Sequence, residues 1–374
     1  MVTNAPRAIV VGAGTIAGIH IDALRRLGVD VVSVVASTPE RSAAAAERFG
    51  IRRSDPDVGS AIAGSDAQVL HICTPNALHY PMTITGLEAG LHVVCEKPLA
   101  TSAPDARALI ERIDHSDRVH AVCFNNRYYP LVQDLRSRRA DGGLGRIFLV
   151  RASIADDTLW ARSDWDWRLD ADLGGPTVVT STTGSHLIDL VSYVTGSRVV
   201  EVCADFGTAH ADRRPPSGET SQAVPDASAR DEISSVLARF EDGSRGVLSL
   251  SHVSAGHPYR VRLEIDAERG GATWDSERPN ELWLGHRDEP NRQVVADPRQ
   301  ASMPAARWFA NPGAYREGFS ETFRLLFEQV YGAITGNGEL EPDYPTFQDG
   351  LAGLCVHDSI LASVRMQSWV KVTY

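Results

Sequence analysis

The stretch RAIVVGAGTIAGIH, Arg7 to His20, constrains this chain more than any other. Residues 8–11 form an apolar run of the kind that makes a buried parallel strand. The run ends in Gly12-Ala13-Gly14-Thr15-Ile16-Ala17, a glycine turn followed by helical spacing at Ile16, Ile19, Leu24 and Leu27. Each small residue has a physical use. Gly12 permits the tight turn, Gly14 lets a pyrophosphate approach the backbone, and Ala17 lets the helix pack against the strand. Thr15 and Ile16 open that helix, where unpaired N–H groups face an anion. An ordinary strand-to-helix turn can also be glycine-rich; the strand before and the helix after favour dinucleotide binding.

The 374 residues are enough for two domains, each with its own core. A net charge of −11 leaves no basic excess to hold nucleic acid. No apolar run reaches membrane-spanning length, and a strand begins too early for a signal peptide. A cytoplasmic protein is expected. The five cysteines (Cys73, Cys95, Cys123, Cys203 and Cys355) have neither metal nor redox spacing, so no metal site is expected.

Residues 30–36 read as the second strand. In an NAD-binding fold this strand usually ends in an acidic residue that holds the ribose hydroxyls. Here it ends in Ala36-Ser37-Thr38-Pro39-Glu40-Arg41. Ser37 and Thr38 can bond a 2′-phosphate and Arg41 follows one turn later, which tilts the choice between NADP and NAD toward NADP. Thr38 also suits a helix N-cap before Pro39. Further strands at residues 67–73 and 118–123, with an apolar stretch that runs from Gly90 to Cys95 between them, alternate with helices. The pattern is that of a doubly wound parallel sheet, which binds ligands at the carboxyl ends of its strands.

Two of those ends carry Thr74-Pro75-Asn76-Ala77-Leu78-His79 and Ala89-Gly90-Leu91-His92-Val93-Val94-Cys95-Glu96-Lys97-Pro98. In this order and spacing they resemble the Gfo/Idh/MocA oxidoreductases, the glucose–fructose oxidoreductase and inositol dehydrogenase relatives. The resemblance covers essentially the whole chain. It implies an N-terminal Rossmann domain over 1–125. It also implies a C-terminal α+β domain over 126–374, with a large open, mostly antiparallel sheet for substrate binding and oligomerisation. It makes Lys97 the catalytic lysine, places Thr74, Pro75 and Asn76 against the dinucleotide, and puts His79 and Glu96 near it. The residues give an independent reason for Lys97. Oxidising an alcohol with a nicotinamide removes a hydride and a proton, and a half-desolvated lysine at a strand end suits the proton.

In the second half, Asn125-Asn126-Arg127-Tyr128-Tyr129-Pro130 resembles the family's crossing between domains. It makes Arg127 a candidate beside the nicotinamide and Tyr128 one beside the substrate; a salt bridge and a packed aromatic are the alternatives. Trp160-Ala161-Arg162-Ser163-Asp164-Trp165-Asp166-Trp167-Arg168 is the densest cluster of tryptophan and charge. Flat rings cover the C–H faces of a sugar while polar groups bond its hydroxyls. Trp165 is therefore a substrate candidate, and Trp167 and Arg168 resemble a family pair near the nicotinamide. A subunit interface is the alternative, since Trp and Arg are enriched there too. Gly184-Ser185-His186-Leu187-Ile188-Asp189-Leu190 matches the family's second catalytic motif, with His186 as partner of Lys97 in the proton relay. Where the family usually has an aspartate, four residues earlier, stands Thr182. A hydroxyl can orient a substrate but brings no charge. Another carboxylate must substitute or the preferred substrate has changed; Asp189 shares the helical face of His186 but is also placed as a surface residue would be. Tyr315 lies in a segment, 312–317, that resembles a substrate-proximal family stretch. Residues 209–229 read as a long polar loop. Residues 232–240 and 245–252 read as a hairpin, followed by more strands and an amphipathic helix over 319–334.

The expected function is hydride transfer between a ring hydroxyl of a sugar, sugar derivative or cyclitol and NADP or NAD, with Lys97, His186 and Thr182 at the reacting centre. The alternatives are a retained-cofactor epimerase or glycoside-cleaving enzyme, or a non-catalytic sensor. The expected partners are a sugar-like small molecule and further copies of the chain, as a dimer or tetramer.

Overall fold

The apolar run after the N-terminus forms β1 (Arg7–Val11), whose last four residues are essentially inaccessible to solvent. The computed structural model describes residues 5–114, 116–210, 213, 231–301, 303–311, 315–336 and 343–374. The chain forms two units, one of Met1–Asn125 with Phe319–Leu351, the other of Asn126–Gly318 with Ala352–Tyr374.

In the first unit, α1 (Thr15–Arg26) and β2 (Asp30–Val35) follow β1. Next come α2 (Pro39–Phe49), β3 (Ser54–Asp55), α3 (Val58–Ala63) and β4 (Val69–Ile72). Then α4 (His79–Glu88), β5 (His92–Cys95), α5 (Ala103–Ile113) and β6 (His120–Val122) complete the alternation. The six strands are parallel, in the order β3-β2-β1-β4-β5-β6. Their interior positions are Val, Ile, Leu and Ala because helices cover both faces. Strand order reverses beside β1, so the carboxyl ends of β1 and β4 open the crevice that such sheets use for ligands. The short β3 has too few residues for a periodic signal and was not anticipated.

The second unit begins with α6 (Pro130–Ala140), β7 (Ile147–Ala155) and the short α7 (Ala171–Gly174). It continues with α8 (Val179–Thr195), β8 (Val199–Gly207), β9 (Ile233–Phe240) and β10 (Arg245–Ser251). Then come β11 (Arg260–Ala267), β12 (Gly270–Asp275), β13 (Glu281–Gly285), β14 (Arg292–Val295) and α9 (Met303–Ala306). α10 (Phe319–Thr335) belongs to the first unit, where it packs on α1. α11 (Phe347–Met366) starts there and continues in the second, followed by β15 (Val370–Lys371). The nine strands run β14-β13-β12-β11-β7-β10-β9-β8-β15. All neighbours are antiparallel except β7 and β10. One face packs on α8, whose Leu187, Val191 and Val194 join Val236, Leu248 and Leu250 in a continuous core. The other face carries the exposed Leu237 and Val247, cross-strand partners on β9 and β10, and Trp283 on β13. Residues 214–230 of the expected loop lie outside the described residues.

Candidate functional site

The turn after β1 has the geometry the glycine spacing requires. Gly12 has φ +124°, and a Cβ there would lie 2.4 Å from the Cys73 carbonyl oxygen. No side chain larger than hydrogen fits. Gly14 is the N-cap of α1 and supplies no side-chain cap, while a Cβ built on it meets nothing within 4 Å. The first-turn amides of α1 thus have no side-chain cap, an arrangement suited to a phosphate.

At the end of β2, Ser37, Thr38 and Arg41 are exposed together. Thr38 caps α2 by accepting the Arg41 N–H at 3.2 Å, and the Arg41 guanidinium donates to Ser37 Oγ at 3.0 Å. The cap and the cation therefore share one turn. The carboxylate of Asp55 on the neighbouring β3 is held by Arg53 and by Ser33 Oγ at 2.6 Å, so it is engaged in the sheet.

The loops after β4 and β5 are tied together. His79 places Nδ1 2.6 Å from the Pro98 carbonyl oxygen and Nε2 3.0 Å from that of Thr74. Its ring clamps the Thr74-Pro75-Asn76 loop to the Glu96-Lys97-Pro98 loop, a role the sequence did not reveal. Burial pushes the His79 pKa down. Thr74 Oγ1 is buried with no hydrogen-bond partner among the described residues, and Asn76 is buried at the start of the next turn. Glu96 is buried, with Oε1 3.2 Å from His20 Nε2 and Oε2 accepting the Lys97 N–H at 3.2 Å. Lys97 itself is half-buried at the carboxyl end of β5. Thr74, Asn76, His79, Glu96 and Lys97 thus gather on two adjacent strand ends.

Behind them lies a polar cluster that the sequence analysis missed. His20 Nδ1 is 3.1 Å from His71 Nδ1 and 3.3 Å from Cys73 Sγ, and His71 Nε2 is 3.0 Å from Tyr331 Oη. Burial drives the His71 pKa well down and those of Cys73 and Cys123 well up, so all three are held neutral. His20, Glu96 and Cys123 place three donor atoms within 4.8 Å of one another. With Cys123 kept as the thiol and His20 bonded to Glu96, this grouping is an internal hydrogen-bond network. The one available signal was His20, placed one turn along α1 from the glycine turn.

In the second unit, α8 carries Thr182 and His186 four residues apart, both buried. Its first turn is capped by Asp231, which accepts the Val178 and Thr180 N–H groups. Thr182 Oγ1 donates to the Val178 carbonyl and lies 3.2 Å from His252 Nε2, while His252 Nδ1 is 2.8 and 2.7 Å from the two oxygens of Asp156. Asp156 and His252 had not been singled out, because nothing in the spacing links residues 156, 182 and 252. Asp189 is buried, not a surface residue, and its carboxylate accepts Arg127 Nε at 2.8 Å and Nη2 as well. Arg127 also lies over the Tyr193 ring at 4.5 Å. The Arg127–Asp189 pair is a salt bridge within the second unit. Tyr128 is likewise buried, edge-on to Trp308 at 5.4 Å.

The tryptophan cluster is half-exposed. Arg168 lies over the Trp167 ring at 4.6 Å and donates to Asp166 at 2.8 Å, which presents the two as one plane. Trp165 packs against a small core of Leu159, Leu169 and Val178. Tyr315 is 75% exposed.

A glycine turn at a switch point and a second unit built on an open sheet define a dinucleotide-binding oxidoreductase of two domains. The chain belongs to the Gfo/Idh/MocA oxidoreductase family. Residues 7–124 match its oxidoreductase family model with NAD-binding Rossmann fold, and residues 132–273 match its GFO/IDH/MocA C-terminal domain. A levoglucosan dehydrogenase of Pseudarthrobacter phenanthrenivorans is 29% identical over 91% of this chain and 88% of that protein. The inositol 2-dehydrogenase of Rhizobium meliloti is 23% identical over 97% and 98%. The structure of a levoglucosan dehydrogenase in complex with NADH and levoglucosan matches with a TM-score of 0.89 at 26% identity, over 99% of this chain and all of that one. Among the described residues no helix is long and apolar enough to cross a membrane.

Proposed function

We propose that this chain is a sugar or cyclitol dehydrogenase that transfers a hydride between a ring carbon bearing a hydroxyl and a nicotinamide dinucleotide, preferring NADP. The observation that carries the reading is the full-length likeness to an enzyme solved with NADH and levoglucosan. Bound at the glycine turn, the nicotinamide would accept or give the hydride. The amides of α1 at Thr15 and Ile16, without a side-chain cap, would hold its pyrophosphate. Thr74, whose buried hydroxyl has no described partner, would contact it together with Pro75 and Asn76. His79 acts on it indirectly, by fixing both loops.

Lys97 and His186 would carry the proton. Lys97, half-buried and held through its backbone by Glu96, would take the hydroxyl proton as the hydride leaves. His186 would pass that proton on, and Thr182 would orient the hydroxyl. The stacked Trp167–Arg168 pair and Trp165 would cover and bond the sugar ring; Tyr315 is a further contact. For the cofactor, Ser37, Thr38 and Arg41 offer two hydroxyls and a cation at the end of β2 with no carboxylate among those three to repel a 2′-phosphate.

The exposed Leu237, Val247 and Trp283 on the outer sheet face support a homo-oligomer formed through that face. A monomeric mass in solution at micromolar concentration would overturn it.

The test is nicotinamide absorbance against hexoses, anhydrosugars, inositols and amino sugars, with NAD and NADP supplied separately. Turnover with one class is expected, and Lys97→Met should lower it some hundreds-fold or more. Arg41→Ala should raise the KM for NADP and leave that for NAD alone. Equal turnover by Lys97→Met would sink the mechanism.

A further inference from the structure

We propose that the buried Arg213–Glu232 pair is a clamp that positions the tryptophan loop, residues 159–165, and so sets how tightly the second unit takes a sugar. Arg213 is a positioning residue, acting on Trp165 through the main chain of the loop. The proposal rests on the reading above that Trp165 covers the sugar ring.

The pair is anchored at the ends of two strands. Glu232 directly precedes β9, and its N–H donates at 3.0 Å to the carbonyl of Gly207, the last residue of β8. Its Oε2 accepts the N–H groups of Ala209 at 2.8 Å and His210 at 3.1 Å, which ties the chain leaving β8 to the same carboxylate. Its Oε1 accepts Arg213 Nε at 2.7 Å. Both side chains are fully inaccessible to solvent.

The guanidinium reaches the loop through its other two nitrogens. Nη2 donates to the Leu159 carbonyl, and Nη1 donates to the carbonyls of Ala161 and, at 3.3 Å, Asp164. His210 Nε2 adds a bond to the Trp160 carbonyl at 3.0 Å. Between these points the loop is closed by its own bonds. Leu159 N–H donates to the His252 carbonyl at 2.8 Å, Ala161 N–H to Asp164 Oδ2 at 2.6 Å, and Asp164 N–H to the Ala161 carbonyl at 3.0 Å. The Asp164 carbonyl belongs to the peptide that carries Trp165, so Arg213 fixes the plane from which that side chain leaves the backbone. Trp165 packs on Leu159, Leu169 and Val178, so the bond to the Leu159 carbonyl holds the seat of the ring as well.

Stability alone does not call for this arrangement. A buried ion pair costs its desolvation, and an apolar pair of like volume often stabilises a fold as well or better. What a guanidinium supplies is direction, a rigid planar set of donors aimed at several acceptors at once. A lysine could pair with Glu232, but its single nitrogen cannot span the carbonyls of residues 159, 161 and 164. A loop left to move would have to be ordered when a sugar binds, and that cost would come out of the affinity. Held in advance, Trp165 offers its ring to the C–H face of a sugar or cyclitol without it.

The first experiment needs no sugar. In hydrogen exchange of the full chain, the amides of Leu159, Ala161 and Asp164 should exchange as slowly as those of β8 and β9. Exchange as fast as that of an open loop overturns the proposal. Two variants then separate a clamp from a stabiliser. Arg213→Lys keeps the charge beside Glu232, and Arg213→Met combined with Glu232→Gln removes both charges, so neither leaves an ion stranded. Both should speed exchange at residues 159–164. Both should also raise the sugar KM about tenfold, with kcat within about threefold and the dinucleotide dissociation constant unchanged. The sugar used is the member of the absorbance panel that the unmodified chain turns over. A normal sugar KM in either folded variant would show a merely structural pair and sink the proposal, as would an equal loss of dinucleotide binding. If neither variant folds, exchange in the unmodified chain decides alone. Undiminished turnover in Lys97→Met refutes the proposed function; loss of turnover there, with an unchanged sugar KM in the clamp variants, refutes this proposal alone.

Discussion

The two units differ in how they bury polar groups. In the first, His71 and His79 sit among thiols, aromatic rings and backbone carbonyls, with burial lowering both pKa values. The second buries ion pairs. Arg127 holds Asp189, and Arg213 holds Glu232 with both side chains fully inaccessible. The difference follows from what each half contributes. On the proposed function, the first would present main-chain amides and strand ends to a dinucleotide, with side chains that fill space and fix loops. The second would present side chains from α8 to a substrate. It aligns them with charge, which acts strongly where water is excluded.

The comparison breaks first at Arg127. Arg127→Met removes the cation that donates to the buried Asp189 carboxylate, which should destabilise the second unit by about 3–5 kcal/mol. Urea unfolding followed by tryptophan fluorescence measures it, and a loss below about 1 kcal/mol would refute the view that the ion pair organises this region. In the first unit the glycine turn tests a steric constraint instead. Gly12→Ala sets a Cβ against the Cys73 carbonyl and demands a positive φ, a cost of about 1–3 kcal/mol or more. Gly14→Ala, where the added Cβ meets nothing, should leave the melting temperature within a degree or two while weakening dinucleotide binding. If both variants melt alike, the turn is less constrained than its geometry implies.

A gentler test separates the units by pH. His71, His79, His92 and His120 all have lowered pKa values, with His120 brought down to about 4 by burial and by His92. The unfolded chain then binds more protons than the folded one between about pH 6.5 and pH 4. Stability from these groups is complete above pH 6.5 and is lost as pH falls toward 4. The unfolding midpoint should decline over that window, and His120→Phe should flatten part of the decline. Asp156 has the same sign but a lower window: its contribution is lost only as pH falls below the ordinary carboxylate value. A first unit whose stability is flat from pH 7 to 4.5 would contradict the lowered histidine pKa values.

How much was readable differed along the same line. The parallel sheet, the glycine turn, the Thr38 cap before Pro39 and the strand-end loops are local patterns. Each needs only neighbours within a few residues, so spacing revealed them. His79 was legible as a motif position but not as a clamp, because its partners are the carbonyls of Thr74 and Pro98 on two different loops. Thr182 was legible as a departure, and the question of which carboxylate answers it was open. Asp189 satisfied the helical spacing, yet its partner turned out to be Arg127. The segment Phe319–Thr335 read as an amphipathic helix, but nothing in its apolar stripe said that Phe323 and Phe327 would pack on His20 in the first unit.

The sequence by itself determined the fold class, the family and the dinucleotide turn, since each rests on short-range periodicity and on residues that backbone geometry demands. Tertiary structure alone decided which charges meet. Asp156, Thr182 and His252 become neighbours only when a parallel strand pairing sets β10 against β7 and a helix lies across both. Hydrogen bonds and buried charges act over about 3 Å in space, however far apart their residues lie along the chain.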